Sequence, residues 1–385
     1  MSGDPLSSRE ILAILEALIR TPSVNPSLAP DEGQGEAAIA ALARDWLAER
    51  GVRAWLEEVA PGRPNVVAEV GAAEGPALVF CAHLDTVDTT GMTIPAFEPR
   101  FENGRVYGRG SYDMKGSVAA ILAATAALVG ERLPGCVLVA LVADEEYASL
   151  GARDFVRQHH ADACIVTEPE PSGRRLILAH KGFVWVEITT RGRAAHGSRW
   201  DLGVSAIGKM GRVIAALECF DGGVLRRRVH PLVGPASQHC ALIEGGSGLS
   251  TYAEKCVLHV ERRTLPGETP GQVLREIEGV VREAGEEAEI RIELDRPPLV
   301  CDREAPIARA VREAVAAVTG HAPEEGGVGF WMDAAIFAAA SIPTVNYGPA
   351  GEGAHAAVEW VDLDSVVRCA GVLVESARRF FNSRV

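Results

Sequence analysis

The stretch Gly108-Arg-Gly-Ser-Tyr-Asp113-Met-Lys-Gly116 sets one carboxylate, Asp113, in a glycine-hinged loop directly ahead of an apolar segment of helical character, 115–129. Glycine opens unusual backbone angles there, and the positive end of the helix dipole lies close to the acid. Taken alone, such an aspartate is as well explained as a helix cap. Its company changes the reading. His83-Leu-Asp85 follows the apolar run 77–82, Asp144-Glu145-Glu146 follows the run 136–142, and Glu168 follows the run 163–166. His355 closes a glycine-rich loop after 343–347. Each acid or imidazole lies just past the carboxyl end of a run of strand length, the edge at which open α/β sheets assemble ligand sites.

With 385 residues, 47% of them hydrophobic, the chain has enough apolar side chains for a sizeable core and enough length for two domains. A formal charge of −14 argues against nucleic acid or an anionic membrane as partner, because both demand a basic face. The eight cysteines form no Cys-x-x-Cys pair, and those at 81, 136 and 164 fall inside apolar runs as small buried hydrophobes. A reducing cytoplasm fits this usage. The opening Met-Ser-Gly-Asp-Pro-Leu carries no export signal, and no apolar run is long enough to span a bilayer.

Ser7-Ser-Arg-Glu10 resembles a capping box ahead of a helix over 11–20, and a second helix is predicted from 35 to 50. Strands at 52–59, 65–70 and 77–82, a helix over 115–129, a strand at 136–142, a helix near 150–158 and a strand at 162–167 make an α/β alternation. From 174 the style changes: strand 174–191, helix 203–219, strands 237–244 and 254–263, helix 270–284 and strand 287–294. That βαββαβ order is the pattern of a ferredoxin-like sandwich. Helix 303–318, the glycine-rich segment 326–329, helix 333–340, strand 343–347 and helix 362–381 return to the first style. The predicted fold is an α/β domain with a mixed sheet and helices on both faces, discontinuous over 1–176 and 298–385, interrupted by an inserted ferredoxin-like domain at 177–297.

Two histidines with three or four carboxylates suit a pair of borderline metal ions, and zinc best matches mixed nitrogen and oxygen ligands. One carboxylate must then be shared by ions about 3.5 Å apart, and Asp113 is the choice. In an extended His83-Leu-Asp85 both side chains share a face, so Asp85 is expected to orient the imidazole. The adjacent Glu145 and Glu146 suit two roles, one binding metal and one handling protons. Asp333 is read as the cap of the helix behind it.

Together these motifs resemble the zinc amidohydrolases that include acetylornithine deacetylase, succinyl-diaminopimelate desuccinylase, aminoacylase and glutamate carboxypeptidase. The resemblance rests on His83-x-Asp85, Gly108 to Gly116, Asp144-Glu145-Glu146, Glu168-Pro169 and the late His355. It implies that His83 and Glu168 bind one zinc, Glu146 and His355 the other, and Asp113 both, with cobalt or manganese as possible replacements. It also implies a bridging hydroxide as nucleophile, Glu145 as general base and acid, and a cis peptide at Asp113-Met114. The inserted domain would be a lid and homodimerisation domain, with His196 reaching a partner subunit's site to stabilise the oxyanion. Arg263 would hold a substrate carboxylate, assisted by Lys181, although a salt bridge within the lid explains Arg263 equally well. The desuccinylase pattern has an arginine soon after the late aspartate, where this chain reads Asp333-Ala-Ala-Ile. The implied reaction is amide hydrolysis in an N-acyl amino acid. A dipeptidase or carboxypeptidase acting on short peptides is the alternative on the same site, and a catalytically silent binding protein the alternative of another class.

Overall fold

The computed structural model describes residues 4–72 and 74–382, so the first three residues of the opening in which no export signal is expected lie outside it. The chain divides into two compact units. One runs to Leu178 and takes in Cys301–Gly326 and everything from Met332 onward; the other comprises Ala179–Val300 and Gly327–Trp331. The second unit thus starts and ends a little later than the predicted insertion, and it recruits a short distant segment. A Cβ on Gly327 would meet Val233, Ala179 and Leu232, so only glycine lets that segment lie against them.

In the first unit a mixed sheet runs Arg53–Ala60, Arg63–Gly71, Cys136–Val142, Ala77–His83, Ala163–Val166, Thr344–Asn346 and, as far as Leu178, the strand Arg175–His180 in spatial order. The four strands from Cys136–Val142 to Thr344–Asn346 are mutually parallel. Their carboxyl ends therefore share one edge, and the segments carrying Glu145, His83, Glu168 and His355 all leave from it. Helices pack on both faces. Gly116–Ala127 is buried on every side over its first ten residues, which matches its lack of any polar stripe. Ser7 caps Ser8–Arg20 by accepting from the N–H of Glu10, but the Glu10 carboxylate goes to Arg50 at 3.1 Å and leaves the capping box half formed.

Short elements escaped the periodicity reading. Gly351–Glu352, Trp360–Asp362, Arg105–Tyr107 and Arg100–Glu102 form a small antiparallel sheet, and strands of two or three residues are too brief to show alternation. The glycine-rich segment is in part a strand, Glu324–Val328. The strand predicted at 174–191 is two, Arg175–His180 and Gly182–Arg191, parted at Lys181.

The second unit holds the strands Gly182–Arg191, Ser237–Gly245, Lys255–Thr264 and Ala288–Arg296. Their spatial order, third-drawn strand between the second and the first, is antiparallel throughout and is that of a ferredoxin-like sandwich. Its helices, Ala206–Gly223 and Pro270–Glu283, bury Met210, Val213, Leu217, Val273 and Ile277 against the sheet. No helix among the described residues is long and apolar enough to cross a membrane.

Candidate metal centre

His83 ends its strand with only 1% of its side chain exposed. Its Nδ1 lies 2.9 Å from the Asp85 carbonyl oxygen, which can only accept, so Nδ1 carries the proton and Nε2 faces inward. That Nε2 lies 3.1 Å from Asp113 Oδ1 and 3.6 Å from Glu168 Oε1. On the other side, His355 Nε2 lies 3.4 Å from Asp113 Oδ2 and 3.1 Å from Glu146 Oε2. The two oxygens of Asp113 therefore face two different histidines, each with its own glutamate. The carboxylate of Glu145 can bring an oxygen within 4.8 Å of His83 and Glu168 donor atoms. The peptide bond Asp113-Met114 is cis.

The expected contact of Asp85 with the imidazole is made differently. Its carbonyl holds the ring, while Oδ1 stands 3.6 Å from Nδ1. The carboxylate instead accepts from the backbone N–H groups of Glu145 and Glu146 at 3.1 and 3.2 Å and from Asn25 Nδ2 at 2.7 Å. Because those donors converge on it, the carboxylate is drawn away from the ring and fixes the Glu145-Glu146 turn. Asn25 also donates to Asp144 at 3.0 Å, and Arg63 joins Asp144, at 2.7 Å, to Glu36. None of Asn25, Glu36 or Arg63 carried a spacing signal; each reaches the network from a distant part of the sequence.

Crowded charge sets the proton affinities. Burial works against the His83 imidazolium, but the hydrogen bond to Asp113 and the charges of Glu168 and Asp113 outweigh it and raise its pKa well above the ordinary value. Burial also opposes ionisation of Asp113, yet hydrogen bonds from His355 and His83 hold its carboxyl well below the usual carboxylate range. His355, about half exposed, is raised to about 10 by its hydrogen bonds to Asp113 and Glu146. Burial pushes Glu168 up to about 8, with Asp113 and Glu146 adding to the shift. Glu145 is raised well above the carboxylate range by burial and then by the charge of Asp333. Asp333 stands at the start of Ala334–Ala339 but makes no side-chain capping bond; its charge acts toward Glu145 instead.

In the second unit His196 is exposed, its Nδ1 2.9 Å from Ser198 Oγ. Arg263 pairs with Glu261 at 2.6 Å, and the Lys181 ammonium donates to the Pro235 carbonyl at 2.5 Å. Glu187, His259 and Glu293 also cluster there, but Arg291 already holds both oxygens of Glu187. All eight cysteines are free.

The imidazole and carboxylate donors around Asp113 suit two borderline divalent cations. Residues 79–379 match the model of peptidase family M20/M25/M40. The chain is 30% identical over 340 residues to an acetylornithine deacetylase from Myxococcus xanthus, covering 86% of this chain and 87% of that one. Among solved structures it resembles the aminopeptidase PepT from Bacillus cereus, with a TM-score of 0.81 at 19% identity, over 97% of this chain and 99% of that one. It also resembles the YXEP protein from Bacillus subtilis, described as a dinuclear metal binding peptidase, with a TM-score of 0.74 at 18% identity over 96% and 97% of the two chains. At such identities the structural likenesses speak for the fold.

Proposed function

Because this chain belongs to peptidase family M20/M25/M40, a family of hydrolases, we propose that it is a dinuclear zinc enzyme cleaving the amide bond of an N-acyl amino acid, of the acetylornithine deacetylase kind. The observation that carries this reading is the division of Asp113, with Oδ1 toward His83 and Oδ2 toward His355. In this reading His83, Glu168 and Asp113 hold one ion, and His355, Glu146 and Asp113 the other. The similarity to the acetylornithine deacetylase supports the acyl-amino-acid substrate.

Bound there, such ions would polarise the amide carbonyl and acidify a water. Glu145 takes the proton from the attacking water as its oxygen bonds to the carbonyl carbon, then delivers it to the amine nitrogen as the C–N bond breaks. Asp85 keeps Glu145 in place through its backbone N–H. His196 is assigned to the oxyanion of a partner subunit's substrate in a homodimer, and Arg263 and Lys181 to the substrate carboxylate, exchanging their present local contacts for it. The inserted unit would serve as the lid and dimerisation domain of a cytoplasmic enzyme.

The test is turnover of N-acetylornithine, other N-acetyl and N-succinyl amino acids, and dipeptides by zinc-loaded protein beside Glu145→Gln. The variant is expected to lose about 10²- to 10⁴-fold in kcat while keeping two zinc ions per chain. Full activity in protein shown to be metal-free would refute the reading.

A further inference from the structure

We propose that the buried pair Arg109 and Glu359 is a positioning device that ties the His355 segment to the Asp113 loop and thereby sets affinity at the outer cation position, the one faced by His355 and Glu146. The inference rests on the two-ion reading above.

Glu359 has no exposed surface and Arg109 only 2%. Four donors converge on the Glu359 carboxylate. Oε1 accepts from the backbone N–H groups of Tyr112 and Asp113, both at 2.9 Å. Oε2 accepts from the N–H of Gly110 at 2.9 Å and from Arg109 Nη1 at 2.8 Å. Every acceptor direction of the carboxylate is used, three of them on the loop that carries the shared aspartate. Arg109 extends the tie: Nε donates to the Asp88 carbonyl at 2.9 Å, and Nη2 reaches the Ala356 carbonyl at 3.4 Å. One guanidinium therefore touches the segment after His83-Leu-Asp85, the residue after His355, and the carboxylate that grips Asp113.

The two cation positions depend on this tie unequally. His83 ends a strand that is paired on both sides, and Glu168 follows another strand of the same sheet. Those two attachments owe nothing to Glu359, which reaches the inner position only through the shared Asp113. His355 instead sits in a loop at φ 58°, four residues before Glu359, and the paired ends of that loop are strands of two and three residues. A buried ion pair is a weak source of net stability, since apolar residues of like volume often replace one at no loss. Its four directed bonds do what apolar packing would not, by fixing the distance between the His355 loop and Asp113.

The test is zinc binding to full-length, metal-free protein by calorimetry, with thermal melts alongside, for wild type, Glu359→Gln and Arg109→Lys. The outer step is identified as the one that His355→Ala abolishes. Glu359→Gln turns an amide NH₂ toward donors, and Arg109→Lys keeps the charge but loses the planar fork. Each is expected to weaken the outer step about 10- to 100-fold, with the inner step changed far less. Equal weakening of both steps, or unchanged isotherms with only a lower Tm, would overturn the positioning role. Should one variant fail to fold, the other carries the test. Wild type binding fewer than two zinc ions would instead bring down the two-ion reading and this inference with it.

Discussion

At Asp85 the main chain and the side chain serve different neighbours: the carbonyl holds the His83 ring, and the carboxylate holds the backbone of Glu145 and Glu146. A period-two argument places the side chain on the correct face but says nothing of which acceptor wins the imidazole, because the competing donors come from 60 residues away. The titrating groups allow a signed prediction. In metal-free protein near pH 7, His355 with a pKa of about 10 and Glu168 with one of about 8 both hold protons. A cation needs the neutral imidazole and the ionised carboxylate, so zinc binding is expected to expel at least one proton and to tighten as pH rises from about 6 to 8. Calorimetry in buffers of different ionisation enthalpy reads this directly, and zero net proton release would contradict it. Arg63 offers a second test. It is the cation between the buried carboxylates of Glu36 and Asp144, and Arg63→Met is expected to destabilise by about 3–5 kcal/mol in denaturant melts. A loss below about 1 kcal/mol would mean the carboxylates find other compensation.

The loop before helix Gly116–Ala127 is the element on which most of the site turns. Gly110 holds φ 77° there, and a Cβ on it would stand 2.7 Å from Thr86 Cγ2 and 3.0 Å from Lys115 Cε. Gly110→Ala is therefore expected to cost about 1–3 kcal/mol and to weaken zinc binding, whereas Gly130→Ala, at φ 84° with open space around its Cβ, should cost stability without touching zinc. Equal zinc affinity in the two variants would separate the loop from the site. The glycines of this loop were plain in the sequence; the partner that holds it was not. Glu359 is a lone acid in Val358-Glu-Trp-Val361, and only the small sheet joining Trp360–Asp362 to Arg105–Tyr107 brings it under the loop. Long elements declared themselves through period and length, while two- and three-residue strands exist only because a partner strand is present.

Every candidate ligand lies in the first unit, and the Cys301 N–H donates to the Leu178 carbonyl at 2.7 Å, so the ends left by removing 179–300 are already neighbours. A chain with that segment replaced by a short glycine linker is expected to melt cooperatively and still bind two zinc ions. Loss of zinc binding from a folded deletion chain would show that the site needs the second unit. The sequence by itself determined the α/β style, the ferredoxin-like insertion, and the set of histidines and acids, because these depend on local periodicity and on motifs read in order. Only the tertiary structure decided how that set is shared out: which oxygen of Asp113 faces which histidine, what the Asp85 carboxylate holds, and that Glu359 grips the loop. Those are choices among competing hydrogen-bond partners far apart in the chain, and burial settles them by making each unmet donor or acceptor costly.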